Sequence, residues 1–421
     1  MLKKSPASHI APSYHSNGLI SSMDVDCEAA DSLLFVAPTV AKDGFWRYIT
    51  AFLRITGQKK NCGFHRPGTA LSERLSMRNV VQIFILGYLP AVLCGCGSGK
   101  ISDTSGSGFS LIDYLKDVPA VVRVENWDNP YGQGLVVETA HYRLFTTLAD
   151  PLMLSQAPGF LESAYAAYQS QLPDPVGTGE PFKTYLFAQR EQWEKFTKDF
   201  SPENANVYLQ IQKGAYALKG VCVAYNIGRK QTFSVLGHEG WHQFNDRHFK
   251  YRLPSWLDEG IATLFETCRY DQGRFLFEPD RNLLRLGTLK QVLAEKRMIP
   301  LERLIALNPG QVLDGYGGDG DAATAFYAQT YALVRFLREN NYGQRLRNYH
   351  NLLLAGLRGN WPIDEPLARM AADRSVSLTV AWNHSVSPVL FKMYIDIDPE
   401  AIEKEYLSFC GKIVYHVQLK K

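Results

Sequence analysis

Residues 232–268 read TFSVLGHEGWHQFNDRHFKYRLPSWLDEGIATLFETC, and this stretch decides the reading of the chain. Within it, His238-Glu239-Gly240-Trp241-His242 sets two imidazoles four positions apart with a carboxylate between them. On a helix, residues at i and i+4 share a face about 5–6 Å apart. Both rings can then reach one divalent cation while Glu239 stands beside it. A five-residue pattern of this kind arises by chance in on the order of one chain of this size in a hundred, so its surroundings must carry weight. Gly237 and Gly240 each cost about 1 kcal/mol relative to alanine inside a helix. That penalty is expected where another element or a substrate has to come close.

Downstream, Pro254-Ser255-Trp256-Leu257-Asp258-Glu259-Gly260-Ile261-Ala262-Thr263 opens a second helix, expected over 255–268. Ser255 and Asp258 read as a capping box. Leu257, Ile261, Leu264, Phe265 and Cys268 form its apolar stripe. Glu259 lies two residues past Leu257, a rotation of about 200°, so it faces away from that stripe together with Ala262, Thr263 and Glu266. A carboxylate flanked by small residues is thereby offered to the histidine helix. His248 reads as a solvated or loop histidine rather than a ligand.

At these residues the chain resembles the gluzincin class of zinc peptidases, in which H-E-x-x-H is followed by a glutamate ligand, often inside W-L-x-E-G-x-A. Trp256 to Ala262 match that second pattern. The similarity extends to peptidase-MA-like secreted proteins, which also share an approach like Gly214-Ala215-Tyr216. It is specific over 232–268 and looser to about 340. The resemblance implies Zn²⁺ held by His238, His242 and Glu259, with Glu239 as general base and a peptide or protein as substrate. It also implies a later tyrosine that stabilises an oxyanion. Phe326 to Val334 looks like the helix that carries it, which makes Tyr327 the candidate and Tyr331 the reserve; an aromatic stripe packing the core is the competing reading of both. The alternative function is a non-catalytic envelope lipoprotein that uses a peptidase-like fold as a binding module. An intact Glu239 speaks against it, because a structural metal site has no use for a base.

Working outward, residues 77–99 read MRNVVQIFILGYLPAVLCGCGSG. A positive start at Arg78 precedes an apolar run from Val80 to Leu93, which is too short for a bilayer span of about 20 residues and suits a signal segment. Leu93 to Cys96 resembles the lipobox of bacterial lipoproteins, which implies lipidation of Cys96 and a bacterial cell-envelope location, with the membrane met through that anchor only. Residues 77–95 would be the signal peptide and 96–110 a flexible Gly/Ser tether. Translation is then expected to start at Met77, with residues 1–76 untranslated or disordered.

Composition narrows the remainder. The 421 residues are 46% hydrophobic and 21% charged, with a formal charge of +3 and no basic block. Nucleic acid is therefore excluded as a partner. Seven cysteines, odd in number and irregularly spaced, argue against a disulfide framework. No G-x-S-x-G is present, and Gly95 to Ile101 lacks the residues of a phosphate loop. The fold class is read as α+β: a mixed N-terminal part over 111–230, then a mainly helical, zincin-like part over 231–421 with the histidine helix at a cleft. Strands are expected at 120–124, 135–147 and 183–188, and a helix over 152–172. Further helices are expected at 232–248, 255–268, 281–296, 322–340 and 343–357. The loop 314–320 separates helices, fails the calcium-loop order, and leaves Asp321 as a helix cap.

Overall fold

A computed structural model describes residues 33–36, 49–53 and 110–418, apart from positions 178, 213, 309–320, 374–379 and 397. Its strands are β1 (Leu33–Val36), β2 (Ile49–Leu53), β3 (Arg123–Asn126), β4 (Leu135–Glu138), β5 (Tyr142–Thr146), β6 (Phe182–Phe187), β7 (Gly214–Leu218) and β8 (Val221–Tyr225). They form one mixed sheet in the order β1-β2-β7-β8-β6-β5-β4-β3. The β5–β6 and β6–β8 pairs are parallel and the others antiparallel. Parallel neighbours need long crossovers. The first is α2 (Pro151–Gln169), which follows the short α1 (Leu111–Lys116); the second contains α3 (Arg190–Phe200) and α4 (Ala205–Tyr208).

Side chains alternate across the sheet, and the two faces carry different loads. Tyr142, Leu144, Ala215, Cys222 and Ala224 enter the main core under α2 and α5 (Arg229–His248). Phe187, Tyr216, Val223 and Tyr225 point the other way, into a smaller core with Trp193 and Phe196 of α3. The small residues on the first face let α5 lie close to β7 and β8, so most of α5 between Thr232 and Asn245 is buried. A helix buried on all sides is normally apolar. This one carries two histidines, a glutamate, a glutamine and an asparagine through the core.

After α5 the chain is mainly helical: α6 (Ser255–Ala262), α7 (Leu283–Ala294), α8 (Leu301–Ala306), α9 (Asp321–Gly343), α10 (Leu346–Arg358), α11 (Glu365–Ala372), α12 (Val380–Tyr394) and α13 (Pro399–Ile413). A small hairpin, β9 (Cys268–Asp271) with β10 (Arg274–Phe277), is inserted between α6 and α7. The protein is thus of α+β class. The main core runs from Leu115 to Val417 and takes residues from both the sheet region and the helical region. No helix among the described residues is long and apolar enough to cross a membrane.

Three local expectations are corrected. Residues 135–147 are not one strand but a hairpin, turned at 139–141 where the Thr139 hydroxyl accepts from the Tyr142 amide at 3.0 Å. The helix expected over 255–268 ends at Ala262, passes through a 3-10 turn at Thr263–Phe265 and becomes strand at Cys268, which therefore sits on no helical stripe. Ser255 makes no capping box: Pro254 occupies the cap, the Ser255 amide donates to Asn383 at 3.0 Å, and Asp258 is turned toward α5. Residues 1–32, 37–48 and 54–109, with the signal segment and Cys96, lie outside the described residues, and so does the loop 314–320.

Candidate metal centre

Two consecutive helices supply the three donors. On α5 the His238 and His242 rings stand 5.1 Å apart, as one helical turn requires. From α6, Glu259 Oε2 lies 3.4 Å from His238 Nε2 and 3.7 Å from His242 Nε2. One ligand atom from each of the three residues falls within 4.8 Å of the other two. His238 Nε2 and both Glu259 oxygens are buried and make no hydrogen bond among the described residues. Polar atoms in that condition are costly unless a ligand takes them.

The other ring nitrogens are already committed. His238 Nδ1 lies 3.0 Å from Glu266 Oε1, and His242 Nδ1 lies 3.3 Å from Asp258 Oδ1. An ionised carboxylate only accepts, so each Nδ1 carries a proton, and in the neutral ring Nε2 is the atom left with a lone pair toward Glu259. This carboxylate–imidazole pairing is the usual support of a metal-binding histidine. The carboxylates are themselves held: Asp258 accepts from Trp241 Nε1 at 2.8 Å and Asn245 Nδ2 at 2.9 Å, and Glu266 from Asn282 Nδ2 at 2.9 Å and the Arg285 guanidinium at 2.6 and 2.8 Å.

His238, Glu239 and Glu259 have no exposure and His242 is 4% exposed, so charge here has almost no water to screen it. Asp258, Glu266 and Arg285 are buried too. The buried carboxylates Glu239, Asp258, Glu259 and Glu266 outnumber the one buried guanidinium of Arg285, and such negative charge is relieved either by protons on the imidazoles or by a dication. Burial alone would lower the proton affinity of His242, but the adjacent Asp258 and Glu259 carboxylates raise it well above the ordinary imidazole value. Burial likewise opposes ionisation of Glu259, and the two histidines outweigh it and lower its pKa. Glu266 is brought down to about 2, chiefly by the Arg285 charge working against burial. Two imidazoles and a carboxylate, with a proton as the competitor for the same lone pairs, form a donor set that fits Zn²⁺.

Close packing fixes where Glu259 stands. A Cβ on Gly260 would lie 2.6 Å from both the Thr330 carbonyl and Val334 Cγ2, so α6 approaches α9 more closely than any side-chain-bearing residue permits there. Trp256 Nε1 also donates to Ser387 Oγ at 3.0 Å, tying α6 to α12. On α5 the two glycines serve different neighbours. A Cβ at Gly237 would collide with the Phe265 carbonyl, and one at Gly240 with the Tyr168 hydroxyl of α2. Another element thus comes close at each glycine, the turn after α6 at Gly237 and α2 at Gly240.

Glu239 is buried on α5 between the two histidines. Tyr327 is buried on α9, with its ring 5.1 Å from the Arg285 guanidinium carbon. The reserve Tyr331 is otherwise engaged: its hydroxyl donates to the Pro279 carbonyl and accepts from Arg335 at 2.8 Å. His248 closes α5 and packs at 4.5 Å against Phe244, half-buried, so it is not the solvated or loop residue expected. Asp258, Glu266, Asn282 and Arg285 were not anticipated as parts of the site. The available signals were an acid next to Glu259 and a second acid on its face of the helix. No family model matches the chain, and no curated protein matches its sequence.

Proposed function

We propose that the chain is a zinc-dependent peptidase of zincin-like, gluzincin type, working at the bacterial cell envelope from a lipid anchor at Cys96. The observation that carries the reading is Glu259 Oε2 within 3.4 and 3.7 Å of the two Nε2 atoms, reached from a separate helix. When bound by His238, His242 and Glu259, zinc supplies Lewis acidity that polarises a carbonyl and makes water a stronger acid. Glu239 takes the proton from the attacking water and returns it to the leaving amine. The Tyr327 hydroxyl donates to the oxygen on which negative charge develops. Asp258 and Glu266 keep both imidazoles in the donor tautomer throughout.

The burial of the donor group favours one other reading, a structural metal site in a non-catalytic envelope lipoprotein that serves as a binding module. Zinc quantification on the purified protein, together with turnover of a mixed peptide library by wild type and Glu239→Gln, separates the two. Zinc at close to one per chain with hydrolysis that Glu239→Gln abolishes supports the peptidase. Zinc without any hydrolysis selects a structural metal site, and no zinc removes the peptidase and leaves the binding module.

A further inference from the structure

Glu266 is a saturated acceptor. Its Oε1 takes His238 Nδ1 at 3.0 Å and Arg285 Nη2 at 2.6 Å, while its Oε2 takes Arg285 Nε at 2.8 Å and Asn282 Nδ2 at 2.9 Å. The side chains of His238, Glu266 and Arg285 are all essentially without solvent contact. Four donors on two oxygens leave the carboxylate no freedom to rotate, and a two-point guanidinium fork sets its plane. Asn282 is in turn fixed as the cap of α7, where its side-chain oxygen accepts from the Arg285 amide at 3.2 Å. The opposite histidine is supported differently, because Asp258 Oδ1 accepts from the neutral donors Trp241 and Asn245. The same Arg285 guanidinium also faces the Tyr327 ring at 5.1 Å, a cation–π distance.

From this arrangement we infer that Arg285 is the positioning residue of the metal centre: through Glu266 it holds the His238 ring with Nε2 toward the metal, while its guanidinium also packs over the Tyr327 ring. The inference rests on the metal-site reading above and assigns a role to a residue that touches neither metal nor substrate. A plain structural brace between α7 and the turn after α6 needs only the pair Arg285–Glu266. It gives no reason for one oxygen of that pair to be spent on a metal-ligand candidate, or for the guanidinium to lie over the tyrosine. Lysine cannot stand in for arginine, since a point charge lacks both the fork and the planar face.

The test compares Arg285→Lys and Asn282→Ala with wild type and with Arg335→Lys, a control that alters another buried arginine, one bonded to Glu339 and Tyr331. Zinc affinity is measured on the folded proteins by competition with a chromophoric chelator, cobalt-substituted absorption spectra are recorded, and metal-free melting temperatures are taken separately. Loss of a partner that orients a metal-binding histidine weakens metal affinity about 10- to 100-fold. Arg285→Lys is expected to fall in that range with a shifted cobalt spectrum, and Asn282→Ala to show a smaller loss. Arg335→Lys should lower the melting temperature alone. Should Arg285→Lys fail to fold, Asn282→Ala decides by the same two readouts. Wild-type zinc affinity and an unchanged cobalt spectrum in the variants that fold overturn the positioning role while leaving the peptidase reading intact. A wild-type protein that takes up no zinc overturns the peptidase reading itself, and zinc uptake without hydrolysis leaves the positioning role standing when the peptidase reading falls.

Discussion

The Tyr168 hydroxyl donates to the Gly237 carbonyl across 2.8 Å, and it occupies the place a Cβ on Gly240 would take. One phenol thus ties α2 to the helix that carries both histidines and dictates the residue at position 240. Gly240→Ala is expected to destabilise the protein by about 1–3 kcal/mol through overpacking, offset in part by the better helix propensity of alanine. Tyr168→Phe removes the atom in the way, so the double variant should be more stable than the sum of the single changes implies. Urea denaturation of the four proteins checks this, and strict additivity would refute it.

Occupancy of the proposed zinc site is read by removing its donors or the ion. Glu259→Ala and His242→Ala each take away one of three donors and should retain little zinc after gel filtration. Stripping wild type with a chelator should lower its melting temperature, and restoring zinc should raise it, because binding to the native state alone adds about 4 kcal/mol at a thousandfold excess over Kd. A fully metallated Glu259→Ala protein would remove Glu259 from the ligand set.

Glu239→Gln keeps size and burial and deletes only the proton acceptor. Zinc content should stay at the wild-type level while peptide hydrolysis falls by roughly 10²–10⁴-fold, the usual contribution of a positioned acid–base group. Activity within a few-fold of wild type would assign the base elsewhere.

His248 gives a pH test away from the metal ligands. Burial, then the neighbouring Arg247 charge, pushes its pKa down from 6.5 to about 4. The folded state therefore binds fewer protons than the unfolded state between those values. Stability from this group is intact above about pH 6.5 and is lost as pH falls toward 4. His248→Phe, which keeps the aromatic packing on Phe244 and Phe182, should lose less melting temperature than wild type between pH 7 and pH 5. Parallel losses in the two proteins would contradict the assignment.

Lipidation at Cys96 has its own observable. Intact-mass and peptide spectra of envelope-extracted protein should show a diacylated Cys96 as the first residue. Peptides from residues 1–76 in that material would rule out both the processing site and the start at Met77.

The sequence carried the donors better than it carried their supports. His238 and His242 were legible because a helical period fixes their spacing, and Glu259 through the resemblance carried by Trp256 to Ala262. Asp258 and Glu266 were not, since which imidazole an acid reaches depends on how α6 and the turn after it pack, and Arg285 arrives from a helix beyond the inserted hairpin. The same limit applies to the fold. Long helices such as α2, α5 and α9 showed through their periodicity, whereas β7 and β8 are five-residue strands pinned by sheet neighbours far along the chain. The turn at 139–141 was invisible because both its flanks alternate as one strand would, and the early end of α6 is imposed by the strand pairing that begins at Cys268.

The three donors and the side chains that orient them all fall between His238 and Arg285, while the α9 backbone against which Gly260 is seated begins only at Asp321. Assembly of the donor set and its final tightening therefore draw on separate stretches of the chain. As the protein emerges during synthesis, the loops to be closed for that assembly are short and quickly formed. On the proposed zinc-site reading, the donor set can close before α9 is made, and its exact dimensions are imposed later, when Thr330 and Val334 arrive behind the glycine.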